Sequence, residues 1–150
     1  MKIDESRIVS IMNEYIRVAK EGTAKENGFP EFRTNQQENC SSMTPYLMSK
    51  TGITLLGMLY GLRASKLANG VLVNSCCPGV VETDMTKDMV GFDREKKSPD
   101  NGADTPVYLA LLPQGSDIQG RFLIDRMDKT EVFMRGEHFL VPKTPIAKTS

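Results

Sequence analysis

The chain has 150 residues, with 19 basic and 19 acidic side chains and a formal net charge of zero. That length suits a single domain with a real core. The charges are well mixed and no basic run exceeds Lys96-Lys97, which argues against nucleic acid or an anionic membrane surface as a partner.

Residues 4 to about 25 are expected to form an amphipathic helix. Ile8, Ile11, Met12, Tyr15, Ile16 and Ala19 recur at intervals of three and four, with charges between them. Asp4 or Ser6 can cap its start, and Gly28-Phe29-Pro30 stops the chain beyond it. The charges of this first stretch also argue against a signal peptide. From Glu31 to Thr44 the composition turns polar and reads as a loop.

Pro45 fits the first turn of a second helix, expected over residues 45–68. Its apolar residues, Leu47, Met48, Ile53, Leu55, Leu56, Met58, Leu59 and Leu62, surround most of the circumference, which predicts a largely buried helix. Gly52, Gly57 and Gly61 each cost up to about 1 kcal/mol inside a helix, and close packing against another element would offset that. Ile53 to Leu62 is too short and glycine-rich to span a bilayer. Near the start, Tyr46 and Lys50 are four apart and share one face. An ammonium close to a phenol favours the phenolate, so such a phenol can pass a proton to a developing alkoxide at neutral pH. The plainer alternative is an ordinary surface pair on a helix.

Asn69-Gly70 ends that helix, and Val71 to Cys76 is a short, non-alternating apolar run. It reads as a strand buried on both faces and ending in Pro78-Gly79. A short helix is expected around 83–90. Ser98-Pro99-Asp100 then opens another, assigned to 102–112 and closed by Pro113 and Gly115. Residues 121–125 read as a second strand, and 135–150 as a loose tail holding His138. Cys40, Cys76 and Cys77 form no C-x-x-C, and one histidine adds no metal-ligand spacing, so neither a disulfide framework nor a metal is expected. A reducing, cytoplasmic setting follows. Helix, strand, helix, strand means an α/β fold with a parallel sheet and a right-handed crossover. Two strands rarely stand alone. The organisation is that of the second half of a larger sheet.

Taken together, Tyr46-x-x-x-Lys50, Val73-Asn-Ser-Cys-Cys-Pro-Gly79, Thr83-Asp-Met85 and Gly102-Ala-Asp-Thr-Pro-Val-Tyr-Leu-Ala-Leu-Leu-Pro113 resemble the short-chain dehydrogenase/reductase family. The likeness is greatest to the NADPH-dependent carbonyl reductases of animals, and spans roughly residues 5 to 133. It implies the C-terminal half of a Rossmann-type doubly wound parallel sheet over 1–134. It also implies NADPH as cofactor and a ketone, aldehyde or quinone as small-molecule substrate. Tyr46 would be the proton donor, and Lys50 would tune it and hold the nicotinamide ribose. Pro78, Gly79 and Val81 would line the nicotinamide, with Thr83 fixing its carboxamide. Cys77 and Met85 would face the substrate pocket, although a small buried hydrophobe and a core methionine are the respective alternatives.

The family's Gly-x-x-x-Gly-x-Gly turn, which cradles the pyrophosphate at a helix N-terminus, is absent from the sequence. By the resemblance, that turn, the catalytic serine and the relay asparagine would precede residue 1. Two outcomes are therefore expected to compete. One is a carbonyl reductase present as an incomplete chain, monomeric if complete. The other is an inactive form that associates with protein through its unpaired strand edge, or a fragment without function.

Overall fold

The computed structural model describes residues 4–30, 43–67, 70–87 and 95–135. Residues 31–42 of the expected loop, Cys40, the end of the short helix expected around 83–90, His138 and the tail beyond residue 135 lie outside them, and Thr44, expected in the loop, is the first residue of the next helix. Helix α1 spans Glu5–Lys20, shorter than expected because the chain leaves it through turns up to Gly28, where φ is 82°. Asp4 is the cap: its carboxylate accepts from the Arg7 backbone N–H at 2.9 Å, and the Ser6 hydroxyl donates to the same oxygen. Ile8 and Val18 of α1 are buried. So is Tyr15, which meets Phe29 edge-on with ring centroids 5.2 Å apart.

Helix α2 covers Thr44–Ala64 with Pro45 in its first turn. α1 packs along it. Glu5 of α1 accepts from the Tyr60 hydroxyl at 3.1 Å and the Arg63 guanidinium at 2.7 Å. These two bonds, Arg63's first, hold the Glu5 carboxyl below its usual range. A depressed value in the folded chain means stability that is present above the unfolded value and lost as pH falls through the folded one. Melting temperature is therefore expected to fall more steeply in the parent than in Glu5→Gln as pH drops below about 4.5. Parallel pH profiles for the two proteins would remove the link from the stability of the helix pair.

The sheet is small and mixed. Strand β1 (Ser75–Cys77) pairs in parallel with β2 (Phe122–Ile124), in the register Ser75 to Phe122 and Cys77 to Ile124. A third strand, β3 (Met127–Asp128), pairs antiparallel with β2. This corrects the expectation of a purely parallel sheet with two strands. The intervening Asp125-Arg126 is a two-residue hairpin turn with φ of 52° and 58°. Such turns normally advertise themselves with Asn-Gly or Asp-Gly, and this one has neither. Between β1 and β2 lies helix α3, Pro99–Ala110. It starts earlier than expected because Pro99 takes the first helical position and the Ser98 hydroxyl caps Asn101. A short helix α4, Thr130–Met134, folds Phe133 onto Phe122 with centroids 4.9 Å apart.

The strand expected from Val71 is regular only from Ser75, for a visible reason. Gly120 opposite it has φ of 66° and takes the partner out of strand geometry. Two side-chain amides replace the missing ladder. Gln119 donates to the Val71 carbonyl and accepts from the Val73 N–H, while Asn74 donates to the Ile118 carbonyl and accepts from the Arg121 N–H.

The glycines of α2 explain how it lies on its neighbours. A Cβ on Gly52 would sit 2.8 Å from the Met12 sulfur of α1, and one on Gly57 would fall 2.2 Å from the Ser75 hydroxyl. At Gly61 the obstruction is backbone, with Gly120 Cα at 2.3 Å and the Val73 carbonyl oxygen at 2.5 Å. The close packing expected to offset these three glycines is present. Burial of the helix is less than expected: Ile53 is 66% and Leu62 58% exposed, because α1 and the narrow sheet cover only part of the circumference.

Candidate active site

The direction of α2 on the sheet decides where its first turns end up. Gly57 faces Ser75 and the later Gly61 faces the earlier Val73, so α2 runs antiparallel to β1. Going back seven residues from Gly57 to Lys50 covers about 10 Å of helix axis. Going forward three residues from Ser75 to Pro78 covers about 10 Å of strand. Lys50 is therefore level with Pro78, and Tyr46 lies one turn further out. Both sit at the carboxyl end of β1, the side of an open α/β sheet where ligands bind.

Tyr46 and Lys50 meet each other. The Lys50 ammonium lies 5.5 Å from the Tyr46 ring centroid, over its face. At an exposed site such a contact contributes about 0.5–1 kcal/mol. Both residues are exposed, Tyr46 at 45%, and among the described residues the Tyr46 hydroxyl has no hydrogen-bond partner. The Ser49 hydroxyl donates to the Tyr46 carbonyl at 2.7 Å. The pair thus presents an exposed phenol and an exposed ammonium side by side on the first turns of α2.

Cys77 is the last residue of β1, half-buried and with a free thiol. Its neighbour Cys76 has a thiol pushed up from its ordinary value by burial first and the adjacent Cys77 second, so it is not primed as a nucleophile. Pro78 is exposed and Gly79 follows with φ of 82°, a conformation that glycine adopts without strain. Val81 packs against α3, where a Cβ on Gly102 would approach its methyls to 2.5 Å. Thr83 is exposed, and its N–H donates to the Thr86 hydroxyl at 3.0 Å. Met85 is 79% exposed. Residues 84–87 form a turn, and the rest of the short helix expected there lies outside the described residues.

Three residues that organise this segment carried no signal in the sequence. Thr86 turns its hydroxyl back to the Val81 carbonyl and so closes the turn carrying Thr83. Lys97 pairs through its backbone with Val81. Its ammonium binds the Asp125 carboxylate in the hairpin turn. Only the fold brings positions 81, 97 and 125 together. Among the described residues no group of histidine, cysteine or carboxylate side chains could hold a metal ion, and no helix is long and apolar enough to cross a membrane.

The chain is similar to several proteins named carbonyl reductase (NADPH) 1. It is 38% identical to the one from Bos taurus over 120 residues, which is 79% of this chain and 36% of the relative. Against those from Rattus norvegicus and Homo sapiens the identities are 36% and 33% over 127 residues, or 83% of this chain and 40% of each relative. The chain therefore spans about two fifths of the length of the curated relatives it matches. No family model matches it.

Proposed function

We propose, on the premise that about four fifths of this chain is homologous to carbonyl reductases of the short-chain dehydrogenase/reductase family, that it carries the tyrosine–lysine part of an NADPH-dependent carbonyl reductase. Residues 1–134 correspond to the C-terminal part of that enzyme's Rossmann-type domain, in a cytoplasmic setting. The feature that carries this reading is the antiparallel run of α2 on β1, which sets Lys50 level with Pro78 and Tyr46 one turn beyond it, towards the carboxyl end of β1.

The residues present fit one end of the cofactor. Gly79 lets backbone approach a flat ring closely, and Pro78 and Val81 flank it. Thr83, whose hydroxyl is exposed beside its turn, would hold the carboxamide, and the Lys50 ammonium would hold the ribose hydroxyls. The opposite end has no counterpart, because the sequence contains no Gly-x-x-x-Gly-x-Gly turn for a pyrophosphate.

NADPH, when bound, supplies a hydride to the carbonyl carbon of a ketone, aldehyde or quinone. Tyr46 protonates the oxygen that thereby gains charge. Lys50, whose ammonium already sits over the ring, stabilises the phenolate left behind. Cys77 and Met85 border the substrate side, Cys77 at the strand end and Met85 as an adaptable apolar surface.

The test is titration of the purified chain with NADPH, following nicotinamide fluorescence and thermal unfolding together. Saturable binding should raise stability by about 2.7 kcal/mol when free NADPH is a hundred times Kd. An unchanged melt with no saturable fluorescence would mean that these residues do not form a cofactor site by themselves.

A second reading is that the chain does no chemistry and associates with protein. It is favoured by the exposed apolar residues Ile53 and Leu62 on α2, Val107 on α3 and Leu111 just past the end of α3. Among the described residues β1 pairs on one side alone, which suits strand addition.

A further inference from the structure

We propose that Lys97 is a positioning residue, a clamp that fastens the Pro78–Thr83 segment to the Asp125-Arg126 turn and so holds it in its binding conformation. The ligand in this statement rests on the NADPH reading above; the clamp does not.

The parallel ladder ends at Cys77 and Ile124. Past that point β1 and β2 have no backbone bond to each other, although the proposed site begins there. Lys97 spans the gap. Its N–H donates to the Val80 carbonyl at 2.8 Å, and its carbonyl accepts from the Glu82 N–H at 2.9 Å, so its backbone acts as a one-residue strand beside Val81. Its stem then lies against Gly79, where a Cβ would come within 3.3 Å of Lys97 Cε and 3.4 Å of Nζ. The ammonium ends on Asp125.

The anchor is itself held. Arg126 forks onto the Asp104 carboxylate of α3 through Nε and Nη2, and its N–H donates to the Thr105 hydroxyl at 3.1 Å. Thr105 is buried. A turn of two non-glycine residues at positive φ persists only where its surroundings over-determine it, and these bonds do so. The Lys97 charge is matched by Asp125, so the side chain acts by tethering and is not a free cation for a phosphate.

The experiment uses the whole chain and two variants. Lys97→Met keeps the stem against Gly79 and removes the ammonium. Asp125→Asn removes the charge from the anchor with a residue that tolerates the left-handed region. Amide hydrogen exchange is read at Glu82 and Lys97, with Met58 and Leu123 as references in the core. Because the pair is partly exposed, at 29% and 53%, each variant should speed exchange at Glu82 and Lys97 by about fivefold with the references unchanged. The double variant should add nothing to either single one. Kd for NADPH should rise by a similar factor, while the melting temperature without NADPH barely moves.

Unchanged exchange in both variants would refute the clamp. Faster exchange with an unchanged Kd would refute positioning. Should the parent chain not bind NADPH at all, the cofactor reading falls, and exchange alone upholds or refutes the clamp.

Discussion

Alanine at Gly61 is expected to destabilise the chain by about 3 kcal/mol or more, a large fraction of the total for a small domain. The new Cβ would land 2.3 Å from Gly120 Cα and 2.5 Å from the Val73 carbonyl oxygen. Both are main-chain atoms anchored by the Gly120 N–H bond to that same carbonyl, so neither can turn aside. The helix-propensity gain of about 1 kcal/mol from glycine to alanine is too small to compensate. Gly52→Ala is the internal contrast. Its Cβ meets the Met12 sulfur at 2.8 Å, the far part of a flexible side chain, so relief is cheap and the propensity gain roughly cancels the rest. Denaturant unfolding of both variants measures the difference. Equal midpoints would mean that the helix can slide on the sheet and that the glycine contact does not fix it.

If the chain reduces carbonyl groups as proposed, Tyr46→Phe is expected to lower the rate by about 10²–10⁴-fold, the usual contribution of a positioned general acid. The same change should leave folding intact, because the hydroxyl it deletes has no partner among the described residues and the ring stays beneath Lys50. Affinity for NADPH should stay within about twofold, since the ammonium that would hold the ribose is untouched. Rate of NADPH oxidation with an aldehyde or quinone, set beside a melting curve, separates the two effects. A rate that survives the substitution would take the proton-donor role away from Tyr46. A melt that falls with the rate would make the residue structural.

What the sequence made readable was whatever local chemistry dictates. The three- and four-residue recurrence of Ile8, Ile11, Met12, Tyr15, Ile16 and Ala19, the proline at position 45, and Ser98-Pro99 each announce a helix within a few residues. The Tyr46–Lys50 contact follows from helical spacing alone. What stayed hidden depends on distant residues. Strand β3 could not be read because Asp125 and Arg126 lack the glycine or asparagine that marks such turns, and their conformation is imposed by Asp104 and Thr105. The ragged start of β1 is set by Gln119 and Asn74 acting as substitute backbone. Lys97 looks like half of a surface lysine pair until the fold brings Gly79 and Asp125 to it. The exposed flank of α2 departs from the expected burial because an apolar helix signals that it can be buried, not that anything covers it.

The pairing of Ser75 with Phe122 has a consequence in time. A parallel ladder cannot be closed by a tight turn, so its two strands meet only after the intervening chain has been drawn together. Loop-closure entropy is lost before the first of those bonds returns anything. Helices α1 to α3 need no such meeting and can form within about a microsecond. The two amide braces, Asn74 and Gln119, act across the same long separation, so they lock the crossover once it has arrived and cannot hasten it. Until then β1 stands apart from the β2–β3 hairpin, whose own pairing across a two-residue turn is local.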